Sequence, residues 1–241
     1  MKYLSIFLLG FSLILGCNSS QKEAKEHSDE INIIKKRTDF YELNRAEDRI
    51  KAVLVLFGGT GQIIESTKRE FQIVDLAVSN EIAVLFIDFD RKIWLEEEYK
   101  VFLKESIEKA FETNQLPKEN ITIGGFSGGG NISLLISDYL VETKSPVAPI
   151  GPFIVDSPIA LLELCLNAER NKQRNFHPLQ VQEAEWIINL MHSQLGKPED
   201  GIEKYEVLSP FTSRTNNIEN LKNLDGLKIR FYTEPDTLWW R

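Results

Sequence analysis

Ile121-Thr122-Ile123-Gly124-Gly125-Phe126-Ser127-Gly128-Gly129-Gly130-Asn131-Ile132-Ser133-Leu134-Leu135 is the stretch that decides the fold. A β-branched apolar run enters a cluster of glycines around one serine, and an apolar segment at helical spacing follows. The pattern predicts a strand over 120–126, a sharp turn at Ser127 and a helix over 128–142. The reason is steric. Glycines two before and two after the serine let strand and helix pass closely, and the bend lifts the serine hydroxyl above the strand end.

Outward from this turn the sequence alternates. Apolar runs at Ala52–Phe57, Ile82–Phe89, Pro152–Val155 and Leu227–Tyr232 read as further strands. Residues 62–79 and 94–114 read as helices between them, the latter on Leu95, Tyr99, Phe102, Ile107, Ala110 and Phe111. Short apolar strands separated by helices predict a doubly wound, mostly parallel sheet covered on both faces, with ligand chemistry at the carboxyl edge. Residues 31–50 supply one or two leading strands. Residues 157–226 are too long for a simple crossover. Val181, Ala184, Ile188, Met191 and Leu195 mark helix within them, read as a helical lid plus crossover helix or equally as a core-packed pair.

Composition narrows the function. The 241 residues are 42% hydrophobic and 27% charged, with a formal net charge of -8. That excludes collagen-like, fully disordered and polytopic membrane classes. Lys35-Lys36-Arg37 is the one basic cluster, so no nucleic-acid partner is expected. Two cysteines make no disulfide framework, and no linear metal-ligand spacing is present, so neither metal nor cofactor is expected.

Gly125-Phe126-Ser127-Gly128-Gly129 in a strand–turn–helix setting resembles the nucleophile elbow of the α/β-hydrolase fold family of serine hydrolases. The resemblance covers residues 49–241 and implies acyl transfer through Ser127 onto a small-molecule ester or peptide-like substrate. It implies an oxyanion hole from the backbone amides of Gly128 and, in the loop Phe57-Gly58-Gly59-Thr60, of Gly59. Phe57 stands where the family's loop carries histidine. The resemblance places the acid after a late strand, at Asp236 in Thr233-Glu234-Pro235-Asp236, with Glu234 a lesser substitute and Asp156 the alternative one strand earlier. Trp239 and Trp240 are read as packing residues.

The family's histidine follows its acid. Thr237-Leu238-Trp239-Trp240-Arg241 contains none. His27 lies in a polar stretch, and His177 and His192 precede the acid within the insertion. A serine without an adjacent base is a poor nucleophile. The reading is a C-terminally incomplete or frameshifted chain, or an inactive descendant, with low turnover as written. A non-catalytic binding module on the same scaffold is the competing class. A serine peptidase is a further alternative, weakened because no propeller domain precedes the fold. Gly58-Gly59-Thr60-Gly61 also resembles a dinucleotide-binding turn, but Ile64 stands where a third glycine is needed, and Tyr99 is followed by lysine at 104 rather than 103.

The N-terminus reads as an address. Met1-Lys2-Tyr3 precedes an apolar run from Leu4 to Gly16, which ends at Cys17. This resembles a bacterial lipobox. Residues 1–16 are then a signal peptide, Cys17 the lipidated first residue, 17–30 a polar tether and 31–241 the hydrolase domain. The implied location is the bacterial cell envelope, with a membrane partner through Cys17. Cys165, among Leu161, Leu162, Leu164 and Leu166, is read as a buried structural thiol.

Overall fold

The computed structural model describes residues 32–89 and 92–233. Cys17, the 1–16 leader, the 17–30 tether, Glu234 and Asp236 lie outside them. The leading segment forms a hairpin, β1 (Ile33–Arg37) and β2 (Tyr41–Ala46). Then follow β3 (Ala52–Phe57), α1 (Ile64–Glu70), α2 (Val74–Ser79), β4 (Ile82–Ile87), α3 (Glu97–Thr113), β5 (Ile121–Phe126), α4 (Gly128–Glu142) and β6 (Gly151–Val155). The insertion contributes α5 (Leu161–Arg174), α6 (Pro178–Gln194) and α7 (Glu203–Leu208), and β7 (Arg230–Tyr232) closes the series.

The strands form one sheet in the order β1-β2-β4-β3-β5-β6-β7. β1 and β2 are antiparallel to each other, and β2 to β4, while β4-β3-β5-β6-β7 run parallel. The expected doubly wound, mostly parallel sheet is therefore present. After β3 the chain goes out to β4 on one side and returns to β5 on the other. The crevice at the carboxyl ends of β3 and β5 is thus the topological switch point.

Val53, Val55 and Phe57 of β3 point to one face with Leu85, Ile87 and Ile123, and there meet α3, α4, α5 and α6 in the main core. Leu56, Val84 and Phe86 point to the other face and meet α1 and α2. Burial on both faces is why these strands are unbroken apolar runs. The second face is covered unevenly. Toward β5, β6 and β7 an apolar groove of about 770 Å³ opens between Phe71, Phe153, Ile150 and Tyr232.

Three expectations need correction. The helix over 62–79 is two helices, because Phe71 leaves helical geometry (φ -98°, ψ 80°) and packs with Ile73 against the sheet. The helix over 94–114 starts at Glu97, because the chain bends at Ile93 and Trp94, which with Leu95 are buried at 3%, 3% and 1% exposure. The last strand shortens to Arg230–Tyr232, since Leu227 and Ile229 pack sideways on a small cluster around Leu134, Ile154 and Leu224.

Helix α4 is buried from Gly128 to Asp138. Asp138 accepts from the Asn223 amide (2.8 Å) and Asn223 Nδ2 (2.9 Å), which pins the late 3-10 segment Glu219–Leu224 onto it. Among the described residues, no helix is long and apolar enough to cross a membrane.

Candidate active site

Register sets the site. Phe57 pairs with Gly125, Phe126 with Val155, and Val155 with Tyr232. The loops that leave these strands, at Gly58–Thr60, Ser127, Asp156 and Thr233, therefore stand side by side at the carboxyl edge.

Ser127 has φ 51° and ψ -125°, a conformation costly for a residue with a Cβ. The surroundings hold it there. Its amide donates to the Val155 carbonyl at 2.8 Å, and its carbonyl accepts from the Gly130 amide at 3.0 Å. The glycines are required by close approach. A Cβ on Gly125 would lie 2.2 Å from the Gly129 oxygen, and one on Gly129 would lie 2.2 Å from the Gly58 oxygen. The second contact shows that the loop after β3 lies directly against the elbow. A Cβ at Gly59 would be 3.4 Å from the Ser127 Cβ.

Ser127 opens into a cavity of about 460 Å³ lined by Thr60, Ile93, Asp156, Pro158 and Leu164, and by Glu183, Trp186 and Ile187 of α6. The insertion therefore forms one wall of the cavity, and its buried side joins the core through Ala184, Ile187, Met191 and Leu195.

The two expected oxyanion donors differ. Gly128 begins α4, so its N–H is among those a helix leaves without an internal partner. The Gly59 N–H instead donates to Gln62 Oε1 at 2.8 Å. It becomes available only when the Gln62 side chain moves. Thr60 Oγ1, on the same loop, is buried without a partner and lies 2.3 Å from where a Gly128 Cβ would be. Asp156, at φ 44°, follows β6 on the cavity wall, and its amide donates to the Tyr232 carbonyl at 2.9 Å.

Neither histidine of the insertion lines the Ser127 cavity. His192 Nε2 pairs with Glu169 Oε1 at 3.1 Å. His177 precedes α6, where its Nδ1 accepts from the Leu179 amide at 3.3 Å. Among the described residues, no histidine lines that cavity.

Two features were missed from sequence. Asn131 is fully buried, and its Nδ2 donates to the Ile93 carbonyl (3.1 Å) and the Pro158 carbonyl (2.8 Å). It ties together the two loops that flank Ser127. A polar residue directly after the glycine run was the available signal. The second is Cys165, Glu169 and His192, whose donor atoms lie within 4.8 Å of one another. This donor set suits a divalent metal, but it comes from two helices and forms no linear motif. Cys165 is fully buried and free, as expected, and burial pushes its thiol above the ordinary range.

No family model matches the chain, and no curated protein sequence matches it. Solved structures do. An esterase from the archaeon Pyrobaculum calidifontis is similar at TM-score 0.54 and 13% identity, over 84% of this chain and 75% of that one. Carboxyl esterase 2 of the fungus Tuber melanosporum is similar at 0.52 and 15%, over 86% and 78%. Francisella virulence factor BioJ is similar at 0.52 and 13%, over 86% and 75%. At these identities the likeness is one of fold. Together with the strand order and the serine at its switch point, it defines the class: the chain has the α/β-hydrolase fold.

Proposed function

We propose that this protein is a serine hydrolase of carboxylic esters that works through an acyl-enzyme on Ser127. The observation that carries the reading is the strained Ser127 at the head of α4, held at the switch point inside a covered cavity. In this reaction Ser127 Oγ attacks the ester carbonyl carbon and gives its proton to a base. The C–O bond to the leaving alcohol breaks, and the alcohol takes up that proton. Water then hydrolyses the acyl group from Ser127. The Gly128 amide supplies one donor to the oxyanion. The Gly59 amide supplies the second once Gln62 Oε1 releases it. Asp236 is the first candidate for the orienting acid, and Asp156 the alternative. The esterases among the structural neighbours favour esters over peptides.

A p-nitrophenyl acetate burst tests this. Release of nitrophenol in proportion to protein, lost in Ser127→Ala, supports the reading; equal release from the variant overturns it. A second reading, a non-catalytic binding module, is favoured by the lack of a histidine among the described residues lining the cavity. Binding of intact ester by both wild type and Ser127→Ala, with no release from either, is its signature. We also propose that Cys17 is lipidated and anchors the chain in a bacterial envelope. Metabolic labelling with an alkyne fatty acid, lost in Cys17→Ser, tests that.

A further inference from the structure

Beside the Ser127 cavity, and sharing Asp156, Pro158, Leu164, Glu183 and Ile187 with it, runs a groove of about 680 Å³ between α5, α6 and the ends of β6 and β7. Its charged groups are all carboxylates, Asp156, Glu163 and Glu183, beside neutral hydroxyls and amides. Gln180 is 6% exposed, and its Oε1 is buried without a donor. Glu163 Oε2 is likewise buried without one, although its other oxygen accepts from the Ser213 hydroxyl. Glu183 and Asp156 add two further carboxylates at the junction with the Ser127 cavity. Among the described lining residues there is no lysine, arginine or histidine. A buried acceptor with no donor costs about 1–3 kcal/mol, and two in one groove call for a group that brings donors. Carboxylates accept only, so that group must bring donors, and positively charged N–H donors make the stronger bonds to them. Leu164, Ala168, Ile187 and Phe231 supply apolar walls for a stem.

We propose that this groove binds a cationic group, an ammonium or guanidinium on an apolar stem, carried by the substrate whose carbonyl lies at Ser127. The substrate half of the proposal rests on the hydrolase reading; the groove's preference for a cation does not. Glu163 and Gln180 receive the N–H donors deep in the groove. Glu183 carries the field toward the Ser127 cavity, and the net charge of -8 steers the cation in.

The test titrates hexylammonium and its neutral counterpart hexanol into the full chain, into Ser127→Ala, and into Glu183→Gln and Glu163→Gln/Glu183→Gln, with thermal midpoints recorded for each. We expect hexylammonium to bind wild type and Ser127→Ala alike, at least about tenfold more tightly than hexanol. That preference should shrink in Glu183→Gln and shrink further in the double variant, where Asp156 is the one carboxylate left among the described lining residues. Glu183 is exposed, so its single variant remains informative even if the double variant is destabilised. Equal binding of hexanol, or an unchanged preference in a folded Glu183→Gln protein, overturns the proposal. In parallel, the kcat/KM ratio of phenyl 6-aminohexanoate to phenyl heptanoate should fall with the same substitutions. Cation binding without ester turnover would overturn the hydrolase reading and leave the groove. Turnover with no cation preference would do the reverse.

Discussion

Replacing Gly129 by alanine would place a methyl group 2.2 Å from the Gly58 oxygen and 2.7 Å from the Phe57 oxygen. An ordinary carbon–oxygen contact is about 3.3–3.6 Å, so the loop after β3 must withdraw from the elbow by about 1 Å. Two effects oppose each other. Alanine gains about 1 kcal/mol over glycine in a helix interior, which is an upper bound at Gly129, the second residue of α4. Overpacking costs about 1–3 kcal/mol, and here the obstacles are backbone carbonyls at a strand end rather than a side chain that can swing away, which puts the cost near 3. The net is a loss of about 2 kcal/mol, or a thermal midpoint lower by about 4–8 °C for a domain of this size. The displaced loop also carries Gly59 and Thr60 away from Ser127, and a misplacement of 1 Å costs about 100-fold in rate. Thermal unfolding by circular dichroism and the rate of Ser127 modification by a fluorophosphonate measure the two effects. A Gly129→Ala protein that melts at or above the wild-type temperature and reacts at the wild-type rate would refute the contact between loop and elbow.

Asn131→Ala loses both loop-tying hydrogen bonds and should cost about 1–3 kcal/mol in urea unfolding; Asn131→Asp should cost more, because a carboxylate faces two carbonyls with no donor. Glu42 is buried under Lys68 (2.6 Å), Arg37 (3.3 Å) and Lys35 (3.4 Å). Burial pushes its carboxyl up, but the Lys68 and Asn44 hydrogen bonds and these charges outweigh that and hold it below the ordinary value. A depressed carboxylate stabilises the fold above its unfolded pKa of about 4.3 and loses that contribution as pH falls through the lower folded value. Wild type should therefore lose stability below about pH 4.3 more steeply than Glu42→Gln in paired urea titrations. His192→Gln should leave the rate of Ser127 modification unchanged, since that ring pairs with Glu169 away from the cavity; a large loss would return His192 to the reaction.

What was legible in the sequence follows from local signals. β3 and β5 could be placed because strands buried on both faces are unbroken apolar runs with glycine at their ends. The Ser127 turn could be placed because close backbone approach demands those glycines. The β1–β2 hairpin could not be resolved, because Glu42 and Asn44 are buried at 1% and 3% exposure and break the apolar pattern. Glu42 is paired there by Lys68, a residue from a distant helix, and Asn44 donates to Glu42. The break at Phe71 was hidden because an inward aromatic fits helical spacing equally well. The pairing of Gln62 with the Gly59 amide is a choice of rotamer, which no motif encodes. The Cys165–Glu169–His192 group arises only when α5 and α6 fold back on one another.

The central claim is that Ser127 is the nucleophile, and a mass-resolved adduct tests it most directly. The full chain is treated with a fluorophosphonate, with and without imidazole as an external base, and digested for peptide mapping. The account predicts one phosphonyl group, on Ser127, formed faster with imidazole and absent in Ser127→Ala. A folded protein that carries no adduct on Ser127 under either condition, or carries it equally on other serines, would contradict it.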